Sequence, residues 1–390
     1  MYSATLQKSN TGFYKLITPI VVSVFAVYLT MGMSLGILPG FIQNDLKFGS
    51  LIIGVVIGLQ SLATLLTRAY SGKIADTKGA KRSKDTGVLF VLVAGIVYVL
   101  AATLHHYTIL ALALILLSRI IHGVAESMLV TGALTWGIGL VGPERSGKVM
   151  TWNGIAMYAG IAIGAPFSIW MTKTYGTVSA FAIIIILSFV SWLATGKLPK
   201  LIVATVQVRT PFYKVVKQVA GQGLGLAFSS MAFACIASFV SLFFAEKNWG
   251  DASLSFILFG ACYILTRVFF AFFPDKYGGY KVALISLIIE VTGQFLMGFS
   301  ASKANAIIGC SLTGIGFSLI FPSLGVIAIK KVSPQMRGTA LGAYAAFFDL
   351  ALGLAGPLAG LIAGWYNYQA VYILGGISCL LAILIIRNKK

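Results

Sequence analysis

Twelve long apolar runs, separated by short polar breaks, organise the sequence. They fall at 18–42, 50–69, 87–104, 108–134, 149–172 and 176–195, then at 219–245, 252–273, 281–299, 305–329, 339–364 and 369–387. Each is close to the roughly 20 apolar residues a helix needs to cross the hydrocarbon core of a bilayer. The longest polar break, 196–215, holds Lys197, Pro199, Lys200, Arg209, Pro211 and Lys214 near mid-chain. The pattern predicts an all-α membrane protein with 12 transmembrane helices. It divides into a six-helix bundle over 1–195, a cytoplasmic linker over 196–215 and a second six-helix bundle over 216–390. The first apolar run is too long for a signal-peptide core and counts as a span.

Composition agrees with lipid as the main solvent. Of 390 residues 58% are hydrophobic and only 10% charged, against about 25% charged in a soluble domain. The net charge of +19 raises nucleic acid as a partner. The placement of the charges excludes it, because the basic residues sit between apolar runs and form no stripe interleaved with exposed aromatics. With the N-terminus inside, 24 basic residues fall on the cytoplasmic side and 4 on the other, leaving Arg119 within a span. This asymmetry predicts cytoplasmic termini and an even number of spans in a bacterial inner membrane. The four cysteines (Cys235, Cys262, Cys310 and Cys379) lie inside apolar runs and read as small buried hydrophobes.

The two halves repeat. Leu66-Thr67-Arg68, Asp76 and Gly79 recur as Leu265-Thr266-Arg267, Asp275 and Gly278, all displaced by 199. Val141, Pro143, Gly147 and Pro166 recur as Val332, Pro334, Gly338 and Pro357, displaced by 191. Halves in the same order and orientation form a parallel repeat about an axis along the membrane normal.

The stretch Gly72-Lys73-Ile74-Ala75-Asp76-Thr77-Lys78-Gly79-Ala80-Lys81-Arg82 resembles the signature loop of the major facilitator superfamily, and stands after the second span. Arg119 and Gly123 in span 4 resemble that superfamily's second motif. Gly160, Gly164, Ala165 and Pro166 in span 5 resemble its antiporter motif, although Phe167, Ser168 and Ile169 follow where a final glycine is expected. Segments 123–127, 135–139, 152–156, 348–353 and 356–360 are similar to the bacterial YhhS/YfcJ group, itself similar to opine-metallophore exporters. The resemblance covers essentially the whole chain and implies a secondary transporter. For Asp76 it implies a latch that breaks when the protein changes facing, with Asp275 as the weaker copy. Gly72, Gly79, Lys81 and Arg82 belong to the same conformational motif. It also places span 4 beside a central cavity and span 9 at the periphery.

Four ionisable residues fall inside spans: Arg119, Glu126, Glu290 and Asp349. A charge at the bilayer centre costs about 2.5–3.5 kcal/mol on insertion scales, so such residues face protein or a water-filled cavity. Arg119, His122 and Glu126 stand at i, i+3 and i+7 and share one helix face. They are candidates for proton coupling or substrate recognition, the competing reading being a static ion pair. Asp349, on a face with Gly342, Ala345, Ala346, Gly353 and Gly356, is a second candidate; alternatively it packs helices. Glu290 shares a face with Ser286, Gly293 and Gln294 and is either a third site or a packing group. Cavity candidates are Gln60, Trp136, Trp152, Asn153, Tyr158, Tyr344, Phe347 and Phe348. Gly160, Gly164 and Pro166 are expected to bring span 5 close to a neighbour and bend it.

No phosphate-binding loop, nucleophile elbow or cysteine–histidine cluster is present in the sequence, so no ATP-driven step, enzyme activity, metal or cofactor is expected. The expectation is a monomeric, proton-coupled exporter of a small molecule. The alternatives are a proton-coupled importer of a sugar-like or other small polar solute, and a membrane sensor that transports nothing.

Overall fold

The structure, a computed structural model, describes residues 10–142, 145–201, 212–332 and 337–387. Within these it is helical. The membrane helices are α1 (Asn10–Gly40), α2 (Ser50–Thr77), α3 (Ala80–Thr103) and α4 (Thr108–Val141). One continuous stretch, Ser146–Ala194, carries α5 and α6, which divide at Gly176 where the backbone leaves the helical region at φ 84°. The second set is α7 (Phe212–Glu246), α8 (Ser253–Phe270), α9 (Gly279–Gly298), α10 (Lys303–Lys330), α11 (Arg337–Trp365) and α12 (Tyr368–Arg387). A π-helical turn, Phe41–Asp45, ends α1, and a one-turn helix, Phe273–Tyr277, precedes α9. Eleven stretches among the described residues are long and apolar enough to span a membrane. Counting the two sides of Gly176 separately makes twelve.

The helices overrun the apolar runs, because a polar residue marks departure from lipid and not the end of hydrogen bonding. The clearest correction concerns the expected loop 72–82. α2 continues through Lys73, Ile74 and Ala75 to Thr77, and Lys78 N–H still bonds the Ile74 carbonyl at 2.8 Å. The break comes at Gly79, with φ 99°, a conformation that L-residues with a Cβ avoid. Its repeat partner Gly278 does the same work at φ 90°. Likewise, α7 begins at Phe212, inside the stretch expected to be linker. α5 passes through Pro166, and the break in its dihedral angles is at Gly176, not at the proline.

The described chain gathers into two compact units, one within 1–37 and 63–207, the other within 38–62 and 208–390. In the first, α1 and α5 approach through glycines on both helices. A Cβ on Gly160 would stand 2.7 Å from Leu29 N, one on Gly164 would meet the Leu29 carbonyl, and one on Gly32 would stand 2.6 Å from the Ile161 carbonyl. Small residues at such crossings let backbones touch, which drives association where the hydrophobic effect is absent. In the second unit, Gly54 meets the Gly356 carbonyl and Gly58 the Gly353 carbonyl. The core there is built from α7, α9, α10, α11 and α12, with Leu226, Leu287, Ile320, Tyr344 and Ile386 among its buried side chains.

Candidate functional site

In the first unit, the α4 stripe is matched residue for residue by hydroxyls on α1. Arg119 Nη1 donates to Ser34 Oγ at 3.1 Å. His122 Nε2 lies 3.2 Å from Thr30 Oγ1. Tyr28 O–H donates to Glu126 Oε1 at 3.0 Å, and the Thr64 hydroxyl of α2 is shared between the Gly123 carbonyl at 3.0 Å and Glu126 Oε2 at 3.2 Å. The order 119, 122, 126 against 34, 30, 28 is that of two antiparallel helices, so the shared face read from spacing is a packed seam. Its sequence signal was the hydroxyl row Tyr28, Thr30 and Ser34 on α1, which is conspicuous only once Arg119 is known to lie opposite.

Hydrogen-bond accounting fixes roles within the seam. Each hydroxyl has one proton to give. Thr30 gives its proton to the Val27 carbonyl at 2.6 Å, so it accepts from His122 Nε2–H. Ser34 gives its own to the Met31 carbonyl, so it accepts from Arg119. His122 Nδ1 is then an acceptor, fully enclosed and with no hydrogen-bond partner among the described residues. The edge of His122 meets Tyr98, which stacks on Phe181 with ring centroids 4.9 Å apart. Arg119 and His122 are buried, while Glu126 keeps partial exposure. Of the three, the carboxylate is the group that solvent or a ligand can reach.

In the second unit Asp349 is buried at 2% exposure on α11. Beside it, Phe348 stacks on Phe317, 6.4 Å between centroids. Phe317 in turn stacks on Phe233 and packs against Tyr263, and Phe233 stacks on Phe259. This ladder of rings from α7, α8, α10 and α11 was not expected beyond Phe348, because single aromatics in spans carry no signal of their partners. Tyr344 is fully buried and donates to the Phe321 carbonyl at 3.1 Å. Phe347 lies directly over Gly223.

The other expected positions scatter. Trp136 is fully buried; its indole N–H bonds the Pro199 carbonyl at 3.0 Å, and Lys81 Nζ sits 5.2 Å over its ring. Trp152 is 38% exposed and meets Tyr14 edge-on. Asn153 is buried and donates to Met157 Sδ at 3.2 Å; Tyr158 and Gln60 are buried too. Lys81 also donates to the Gly196 and Leu198 carbonyls at 3.1 and 2.7 Å. Arg82 is exposed, and a Cβ on Gly72 would meet nothing. The side chains of Asp76 and Asp275 lie outside the described residues. Glu290 is fully buried and accepts from Ser229 Oγ at 2.6 Å.

Two cations counted with the polar breaks prove to be interior. Lys84 has no exposure and donates to the Ser191 carbonyl at 3.0 Å, to Thr195 Oγ1 at 2.5 Å and to Asp85 at 3.3 Å. Arg267 is 8% exposed, donates to the Ser318 carbonyl at 2.7 Å and lies over the Tyr263 ring. Both stand near helix ends, where sequence does not separate a solvated charge from one folded back under a neighbouring helix. Among the described residues no group of three His, Cys, Asp or Glu gathers as metal ligands would.

The family model described as Major Facilitator Superfamily matches residues 20–221 and 222–389. An uncharacterized MFS-type transporter of Salmonella typhimurium is 38% identical over 368 residues, covering 93% of this chain and 94% of that protein. One from Pseudomonas aeruginosa is 38% identical over 374 residues, covering 94% and 92%. Among solved structures, a mutant form of the nucleoside transporter NupG superposes with a TM-score of 0.75 at 18% identity, covering 96% of this chain and 99% of that one. A D-xylose-proton symporter gives 0.75 at 15% identity, covering 95% and 97%.

Proposed function

The chain belongs to the Major Facilitator Superfamily, and from that premise we propose that it exports a small molecule in exchange for protons by alternating access. It is a multi-pass membrane transporter and not an enzyme. The observation that carries the proton reading is Glu126: a carboxylate set among buried groups yet partly open, held by the Tyr28 hydroxyl and by a Thr64 hydroxyl that it shares with the Gly123 carbonyl. Protonating it removes a charge from the seam and weakens the hold of Tyr28 and Thr64. This biases one facing over the other, which is what a coupled ligand must do. Asp349, beside the Phe348–Phe317 stack, serves as the acid of the second unit. Phe348, the partly exposed end of the aromatic ladder, suits a substrate with an apolar or ring-bearing body.

The antiporter-like Gly160, Gly164 and Pro166 support export. The halves are taken as 1–195 and 216–390, joined by the linker 196–215, and the working unit as a monomer. The 24-to-4 asymmetry of basic residues supports cytoplasmic termini, and the bacterial relatives support an inner membrane. The second reading, a proton-coupled importer of a small polar solute, draws on the hydroxyl-rich seam Tyr28, Thr30, Ser34 and Thr64. Everted vesicles distinguish the two. An exporter accumulates labelled substrate in them when their interior is acid, and Glu126→Gln abolishes the dependence on the gradient. Substrate movement that ignores the gradient in wild-type protein removes the proton from the mechanism.

A further inference from the structure

A third acid, buried away from the α1–α4 seam, is unused by this reading. Glu290 lies midway along α9 with no exposed surface. Its Oε2 accepts from Ser229 of α7 at 2.6 Å. Its Oε1 is enclosed and has no hydrogen-bond partner among the described residues. The helix opposite leaves it no room, because a Cβ on Gly316 of α10 would stand 2.7 Å from Glu290 N. From α12 the Cys379 thiol adjoins the carboxyl, with Cys235 of α7 next to that thiol. Among the described residues, the faces meeting Glu290 therefore present a hydroxyl, glycine backbone and thiols, and no cation.

The surroundings extend as a polar file along the same faces. One turn on, Gln294 gives Nε2 to Thr313 Oγ1 at 3.2 Å and to the Ala232 carbonyl at 3.3 Å. Toward the start of α9, Gln222 of α7 gives Nε2 to Tyr280 O–H at 2.9 Å. The Oε1 atoms of Gln222 and Gln294 are, like that of Glu290, enclosed and without a partner among the described residues. Three enclosed acceptors in one file are an arrangement that admits water or a donated proton, since a buried acceptor left unmatched is unfavourable. An ionised carboxylate held by one hydroxyl and a weakly donating thiol, with no cation opposite among the described residues, would be more unfavourable still.

We propose that the α7–α9 seam is a proton-binding site centred on Glu290. The carboxyl carries its proton in the conformation seen here, with Ser229 bonded to the other oxygen. It releases that proton to water when the seam between Gln222 and Gln294 hydrates, leaving a carboxylate that Ser229 and entering water solvate. The site belongs to the second unit and does not depend on the role proposed for Glu126.

Infrared difference spectroscopy on the full-length protein in liposomes tests this directly. Wild-type protein should show the C=O stretch of a buried protonated carboxyl at neutral pH. That band should be lost in Glu290→Gln, moved to higher frequency in Ser229→Ala, and bleached in strongly alkaline buffer. Spectra of wild type and Glu290→Gln that superimpose would overturn the proposal, as would a band indifferent to pH. Should Glu290→Gln protein not accumulate, Ser229→Ala carries the test alone: an unmoved band overturns it. A band that persists in both Glu126→Gln and Asp349→Asn supports it, whatever those variants do to transport, so the sites stand or fall separately.

Discussion

The two units place their buried ionisable groups on different helices. In the first, α4 carries Arg119, His122 and Glu126, each met by a hydroxyl from α1. In the second, α10 has no Asp, Glu, Arg, Lys or His between Lys303 and Lys330. Its buried acids stand on α9, as Glu290, and on α11, as Asp349. The displacement of 199 that relates Gly79 to Gly278 sets Glu290 opposite Val91, and Gln294 opposite Gly95. Val91 and Gly95 lie on α3, which packs closely on α4 through Gly87 and Gly132. Backbone geometry has thus been kept at the turn, with φ of 99° and 90° at the two glycines, while side-chain chemistry was placed separately in each half. Glu126 is partly open, bonded by Tyr28 and by a shared Thr64 hydroxyl; Glu290 is closed, bonded by the Ser229 hydroxyl. An open carboxylate can exchange charge with solvent at rest, whereas a closed one needs the helices to part first.

The sharpest way to break the comparison is to move the acid across. Val91 has no exposure, and its surroundings were never built for a carboxyl. Val91→Glu should remove folded protein altogether, because an uncompensated buried charge costs on the order of 3–5 kcal/mol out of a total stability of about 5–15. Size-exclusion profiles of detergent extracts decide it. A monodisperse variant at wild-type yield would mean that α3 tolerates the same chemistry as α9, and that the placement of Glu290 carries no information.

Much of this was legible before any coordinates. The apolar runs located the spans, and glycine spacing in span 5 anticipated a close neighbour, which is α1. Spacing on α4 put Arg119, His122 and Glu126 on one face. The ends of helices were less legible: Lys73, Lys84 and Arg267 look like loop residues because charge normally marks water, yet the first continues α2 and the other two are interior. Partners were least legible of all. Ser34, Thr30, Tyr28 and Ser229 are ordinary small or aromatic positions until a fold brings them opposite an ionisable group, and sequence separation hides that pairing.

Matched hydroxyl deletions sharpen the contrast between open and closed acids. Ser229→Ala leaves an enclosed carboxyl oxygen without its donor, a loss of about 1–3 kcal/mol. Tyr28→Phe removes a hydroxyl donor from a carboxylate that water can still reach, about 0.5–1.5 kcal/mol. Thermal midpoints in one detergent should therefore fall further for Ser229→Ala. The reverse order would show that Glu126 is the more enclosed group, and would undo the distinction drawn between the seams.

The smallest effect belongs to another position where the repeat has diverged. Lys81 corresponds, at the same displacement, to Tyr280. Tyr280 accepts a bond from buried Gln222. Lys81 instead caps the end of α6, through the Gly196 and Leu198 carbonyls, and covers Trp136. A cation at a helix C-terminus contributes about 0.3–1 kcal/mol where water competes, and Lys81 is only partly buried. Lys81→Met keeps the aliphatic stem over Trp136 and removes the charge, so the midpoint should drop by a few degrees at most, less than for Ser229→Ala. A larger drop than that would mean that residues 196–201 are held by this lysine and not by the Trp136–Pro199 bond. Trp136→Phe, which deletes that bond and keeps the ring, would then be the milder of the two.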